Sequence, residues 1–157
     1  MQNSDPKKFL SSLQMIHLSF CMAMIAFTLV VYFINDERTY DFNTMDFIFP
    51  YLVPMLVIAG IMASNFVFKL QLKKLDKKSV LTKQLAFYQS ASLVKYAVIE
   101  APVLFAIVAA FQTRNMAYLS IGAVGIAYFV MQRPNRDKVS QDLDLRGDHR
   151  RDLETDA

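Results

Sequence analysis

Three long stretches of this chain contain no charged side chain, and they restrict the possible fold more than any other feature. They are residues 9–35, 47–68 and 115–132, with His17 taken as neutral. A soluble domain spreads its charges at helical or strand period, so that one face of each element stays in water. Crossing the hydrocarbon of a bilayer takes about 20 apolar residues. We therefore expect each stretch to be a membrane-spanning helix.

A fourth span is expected at residues 92–113, where Lys95 and Glu100 are the only charges. The sequence thus predicts an all-α fold, an integral membrane four-helix bundle with short loops. It occupies residues 1–133, with spans at about 9–35, 47–68, 92–113 and 115–132. Residues 134–157 are polar and charged, which predicts a mobile tail with at most one short helix near residues 140–145. No internal repeat is evident, so an inverted-repeat transporter within one chain is not indicated.

The distribution of Lys and Arg predicts the orientation, because cytoplasmic flanks collect them. The first loop is acidic, with Arg38 as its one cation, whereas the second loop is rich in lysine. Both termini are therefore expected on the cytoplasmic side of a cytoplasmic (inner) membrane of bacterial type. We expect the lysines that follow the second span to contact lipid head groups as an ordinary positive-inside anchor rather than by specific lipid recognition. They are Lys69, Lys73, Lys74, Lys77 and Lys78.

Glu100 is the most informative single residue, because an ionised side chain near a bilayer centre costs on the order of 3 kcal/mol. Pro102 has no amide hydrogen and leaves the carbonyl of Val98 without its helical partner. A carboxyl and a free carbonyl would then share one bent region, able to hold a proton, a cation or a water. The structural alternative is a protonated Glu100 that donates a hydrogen bond across a helix interface.

Two neighbours of Glu100 on the same predicted helix carry polar groups. Lys95 precedes it by five residues, which turns it about 140° away on a straight helix. We expect its side chain to reach the head groups rather than to form an interhelical salt bridge. Tyr96 lies one turn before Glu100 on the same face and is the better local hydrogen-bond candidate.

Polar residues in the first two spans predict packing contacts. On the first helix, Gln14, His17 and Cys21 follow one another at spacings of three and four, giving one polar stripe. A His and Cys pair can bind copper, but the methionines are scattered over the chain, so we predict no metal site. Asn65 on the second helix is expected to hydrogen-bond between helices.

No nucleophile and base pattern, phosphate loop or metalloprotease spacing occurs, so the sequence favours a non-enzymatic protein without cofactors. The net charge of +3 comes from Lys and Arg that flank the spans, which does not indicate nucleic-acid binding. Short loops leave little to bind a soluble substrate. We expect a subunit or accessory factor of a larger membrane assembly, with other subunits or its own copies as partners. The alternative is a small oligomeric transporter or proton-coupled carrier that titrates Glu100.

Overall fold

A computed structural model describes residues 6–36, 39–40, 48–76 and 79–144 of the chain, with side chains from Lys8 onward. Within these residues there are helices and no strands, which confirms the all-α prediction. The helices are α1 (Pro6–Ile34), α2 (Phe49–Lys73), α3 (Leu81–Thr113), α4 (Met116–Met131) and α5 (Arg136–Asp142).

Three of these helices, α1, α2 and α3, are long and apolar enough to cross a bilayer. They indicate a membrane protein. Helix α4 is also apolar but has 16 residues, about 24 Å at 1.5 Å per residue. This is shorter than a hydrocarbon core of about 30 Å, so a fourth complete span remains a prediction.

Helix α3 begins well before residue 92, where its span was expected to start. Its first turns carry Leu85 and Tyr88, which are buried. These two residues and Ser92 are spaced three and four apart, so they lie on one helix face. The helix therefore continues beyond the apolar span because this face packs against the rest of the bundle.

Hydrogen bonds at the two ends of the bundle show how the helices are arranged. Near the start of α1, the Nε2 atom of Gln14 donates to the carbonyl of Pro134, 3.0 Å away and just after α4. After the end of α1, the Nδ2 atom of Asn35 donates to the carbonyl of Ala110, 3.4 Å away near the end of α3. Helix α1 is therefore antiparallel to α4 and parallel to α3. The start of α1 and the end of α4 therefore lie at the same end of the bundle.

Helix α3 is the central element, in contact with α1, α2 and α4. The core lies along its buried face, where side chains of α1, α2, α3 and α4 meet. The largest fully buried ones include Leu13, Met24, Val53, Ile99, Ile107, Tyr118 and Phe129.

The segment after α4 packs against the bundle instead of leaving it at once. Val139 on α5 and Leu143 just after it are only 1% and 2% exposed. A mobile tail was expected from residue 134, but these two apolar side chains, four residues apart, share one face and are buried together. Residues 145–157 lie outside the described part of the chain.

Candidate functional site

Glu100 lies near the middle of α3 and is partly exposed. No hydrogen bond or ion pair joins it to any residue that the structure describes. Leu93, Ala97 and Ala101 are exposed as well. Spacings of three and four place all of them on one side of the helix. We call this surface, made of Leu93, Ala97, Glu100 and Ala101, the Glu100 face.

Pro102 lies on the opposite side of α3 from Glu100. Its ring fills the place where a Cβ atom on Gly60 of α2 would be, and the carbonyl oxygen of Val98 would be 3.2 Å from the same atom. Two residues along a helix are about 160° apart around its axis. The structure thus places both Pro102 and the Val98 carbonyl on the α2 side, away from Glu100. The carboxyl and the carbonyl do not form the single site that the sequence suggested.

Tyr96 points into the bundle rather than toward Glu100. Its ring meets that of His17 edge-on, with centroids 5.2 Å apart, and that of Phe129 in the same way at 5.3 Å. Among the described residues it makes no hydrogen bond to Glu100. Tyr96 therefore belongs to the aromatic packing between α1, α3 and α4.

His17 is buried at the centre of this aromatic packing. Its ring stacks on Phe129 with centroids 4.7 Å apart and planes 4° from parallel. The Nε2 atom lies 3.0 Å from the carbonyl oxygen of Phe129. Because a carbonyl only accepts hydrogen bonds, Nε2 must carry the proton. His17 thus gives a second hydrogen bond to the carbonyl of Phe129 in the last turn of α4, which also accepts from the backbone amide of Gln132 at 2.9 Å.

Cys21 lies one turn after His17, and its side chain is also buried. Its Sγ atom is 3.8 Å from Nδ1 of His17. With the proton of a neutral ring on Nε2, Nδ1 is free to accept from the thiol. Of the polar stripe predicted on α1, His17 and Cys21 are therefore buried and Gln14 is half-buried.

Lys95 makes a hydrogen bond and a cation–π contact inside the bundle. Its Nζ atom donates to Oε1 of Gln132, 2.9 Å away, and lies 4.8 Å from the ring centroid of Phe68. Close by, the hydroxyl of Tyr88 donates to Oδ2 of Asp142 at 2.9 Å. These groups line a small cavity of about 30 Å³. Lys95 had been expected to reach the head groups, but Gln132 supplies an oxygen acceptor inside the bundle.

Asn65 connects α2 to α4. Its Nδ2 atom donates to the hydroxyl of Tyr128, 2.7 Å away, and to the carbonyl of Ile61 at 3.1 Å. This is the kind of contact that the sequence suggested for an amide within a membrane helix.

The lysines near the end of α2 lie on the surface. Lys69, Lys73 and Lys74 are exposed, whereas Lys77 and Lys78 lie outside the described residues. Their end of α2 is also the end of the bundle where Lys95 and Gln132 meet, because Lys95 lies over Phe68. Lys69, Lys73 and Lys74 are therefore exposed at this end of the bundle, and their contact with head groups stays a prediction.

A groove between α1 and α4 opens to the outside of the bundle. Its volume is about 560 Å³, within the range of about 300–1,000 Å³ for small-molecule sites. A neighbouring depression of about 370 Å³ continues it toward the start of α1. The groove is lined by Ser11, Gln14, Met15, His17, Leu18, Cys21, Met22, Ile25, Val130 and Arg133.

Three partners of the polar residues were not expected from the sequence: Gln132, Asp142 and Tyr128. Each lies on or after α4, far along the chain from the residue it contacts. Only the spacing of Val139 and Leu143 signals that the segment after α4 returns to the bundle.

Comparison with known proteins adds no further assignment: no protein-family model, curated protein or solved structure matches this chain.

Proposed function

We propose that the chain is a non-enzymatic subunit or accessory factor that binds another membrane protein through the Glu100 face. The observation that carries the proposal is the carboxyl of Glu100 in the middle of α3, which has no hydrogen-bond or ion-pair partner in the part of the chain that the structure describes. By contrast, His17, Asn65 and Lys95 each have a hydrogen-bond partner on another part of the chain.

The energy of a carboxyl in the membrane supports this proposal. An acidic side chain at the centre of a helix costs on the order of 3 kcal/mol in the bilayer, and such groups face a partner or a water-filled cavity. A neighbouring transmembrane helix with a donor can satisfy Glu100 by one hydrogen bond. The chain itself offers no such donor among the described residues.

The residues around Glu100 suit close contact with a helix. Ala97 and Ala101 are four residues apart and both exposed. Small residues at this spacing let two helix backbones approach closely in a membrane. A second helix lying over them would place its polar groups within reach of Glu100.

We also propose that the end of the bundle with Gln14 and Pro134 lies at the cytoplasmic side, with α4 as the fourth span. Most cations of the described residues lie at this end, and Arg114 is the cation near the opposite end. Such an asymmetry is typical of cytoplasmic flanks. The cations at the proposed cytoplasmic end include Lys8, Lys69, Lys73, Lys74, Lys83, Arg133, Arg136 and Lys138.

Site-specific photo-crosslinking in native membranes tests the proposal. A photoreactive residue at Ala97 is expected to capture one foreign protein, whereas the same residue at Met62, an exposed position on α2, captures none. Capture of this chain alone at Ala97 would favour the alternative, an oligomeric proton-coupled carrier. The absence of any captured protein at Ala97 would contradict both the accessory subunit and the oligomeric carrier.

A further inference from the structure

The groove between α1 and α4 has a polar end and an apolar body. Ser11 lies at the polar end, and Met15, Leu18, Met22 and Ile25 follow it at spacings of four, three, four and three. These spacings form one continuous stripe on α1. The stripe from Met15 to Ile25 is about 15 Å long at 1.5 Å per residue, which is half of a hydrocarbon core of about 30 Å.

Two cations lie at the polar end of the groove. Arg133 lines the groove itself, and Lys8 lines the adjoining depression, which shares Ser11 and Met15 with the groove. Neither cation has a salt-bridge or hydrogen-bond partner for its side chain among the described residues. No described acidic side chain lines either cavity.

This arrangement matches the two parts of an anionic phospholipid. A phosphate group attracts Lys and Arg at the membrane surface, by about 1 kcal/mol for each cation, or about fivefold in affinity. An acyl chain suits a stripe of methionine, leucine and isoleucine, because these side chains are as apolar as the chain itself. The position of the cations fits the head-group level, since Lys8 is near the start of α1 and Arg133 follows the end of α4.

We propose that the α1 and α4 groove is a binding site for one anionic phospholipid. The phosphate lies between Lys8 and Arg133, and an acyl chain lies along Met15, Leu18 and Met22. The site is separate from the Glu100 face, so it does not depend on the function proposed above.

Binding is tested with the full-length protein by native mass spectrometry from phosphatidylglycerol and from phosphatidylcholine vesicles. The wild type is expected to retain one phosphatidylglycerol in preference to phosphatidylcholine. The double variant Lys8→Gln with Arg133→Gln loses this preference, with affinity reduced by about fivefold for each cation removed. The matched control is Lys73→Gln with Lys83→Gln, which removes the same charge from exposed positions outside the groove.

Cys21, the single cysteine of the chain, lines the same groove and reports its occupancy. Its modification by a lipid-soluble maleimide is expected to be slower in phosphatidylglycerol vesicles than in phosphatidylcholine vesicles. The difference should disappear in the Lys8 and Arg133 variant and persist in the control.

Equal loss of lipid in both double variants would overturn the proposal, because it would reveal only general attraction to the surface. Equal maleimide rates in the two lipids would also overturn it, because the groove would then not hold the lipid. A larger side chain in the groove gives a further check. Leu18→Trp should displace the lipid because it occupies the groove, whereas Met62→Trp on the surface of α2 should not.

Discussion

Gly60 of α2 and Pro102 of α3 are packed so closely that a Cβ atom at position 60 would overlap the proline ring. Pro102 lies inside α3, where it interrupts the helical hydrogen bonds. The absence of a side chain at Gly60 gives room for the ring and for the carbonyl of Val98. This contact fixes which side of α3 faces α2, and it turns Glu100 away from α2.

The first prediction is that Gly60→Ala destabilises the bundle by about 1–3 kcal/mol, the usual cost of overpacking. Thermal unfolding in detergent measures the effect. Gly122→Ala is the control, because its Cβ would meet its nearest neighbour at an ordinary 3.5 Å. That substitution should be neutral or stabilise by about 0.5–1 kcal/mol, since Ala is the better helix residue. Equal effects of the two substitutions would contradict the packing described.

The second prediction concerns the hydrogen bond from Asn65 to Tyr128. A double-mutant cycle with Asn65→Ala and Tyr128→Phe should give a coupling energy of about 0.6 kcal/mol, the average for such bonds in membrane proteins. Unfolding of the three variants and the wild type in detergent supplies the values. Strict additivity would show that the two side chains do not interact.

The third prediction is that Leu143→Ala loosens the attachment of α5 to the bundle. Leu143 is almost fully buried, and removing such a side chain costs about 2–5 kcal/mol. Because α5 lies after the last helix of the bundle, the loss should appear as faster cleavage by added protease between α4 and α5. Gln141→Ala, at an exposed position on α5, should cleave at the wild-type rate. Similar cleavage rates for the wild type, Leu143→Ala and Gln141→Ala would mean that burial of Leu143 does not attach α5 to the bundle.

The sequence predicted those parts of the fold that depend on local composition. The uncharged stretches at residues 9–35 and 47–68 correspond closely to α1 and to most of α2, because a membrane helix excludes charge along its whole length. The interhelical role suggested for Asn65 also follows from composition, since an amide in an apolar helix needs a partner.

The remaining features depend on how helices are rotated and aligned, which composition does not encode. The separation of Glu100 from the Val98 carbonyl follows from the contact of Gly60 with Pro102, between two different helices. The bond from Lys95 to Gln132 depends in the same way on the alignment of α3 with α4.

The proposed bond from Glu100 to a second membrane protein is measured by native mass spectrometry of complexes extracted gently from membranes. The wild type should carry a stoichiometric foreign partner. Glu100→Gln should keep this partner, because an amide retains neutral hydrogen bonding and shape, whereas Glu100→Ala should lose it while the isolated chain stays folded. Retention of the partner at full occupancy by Glu100→Ala would show that Glu100 does not hold the partner.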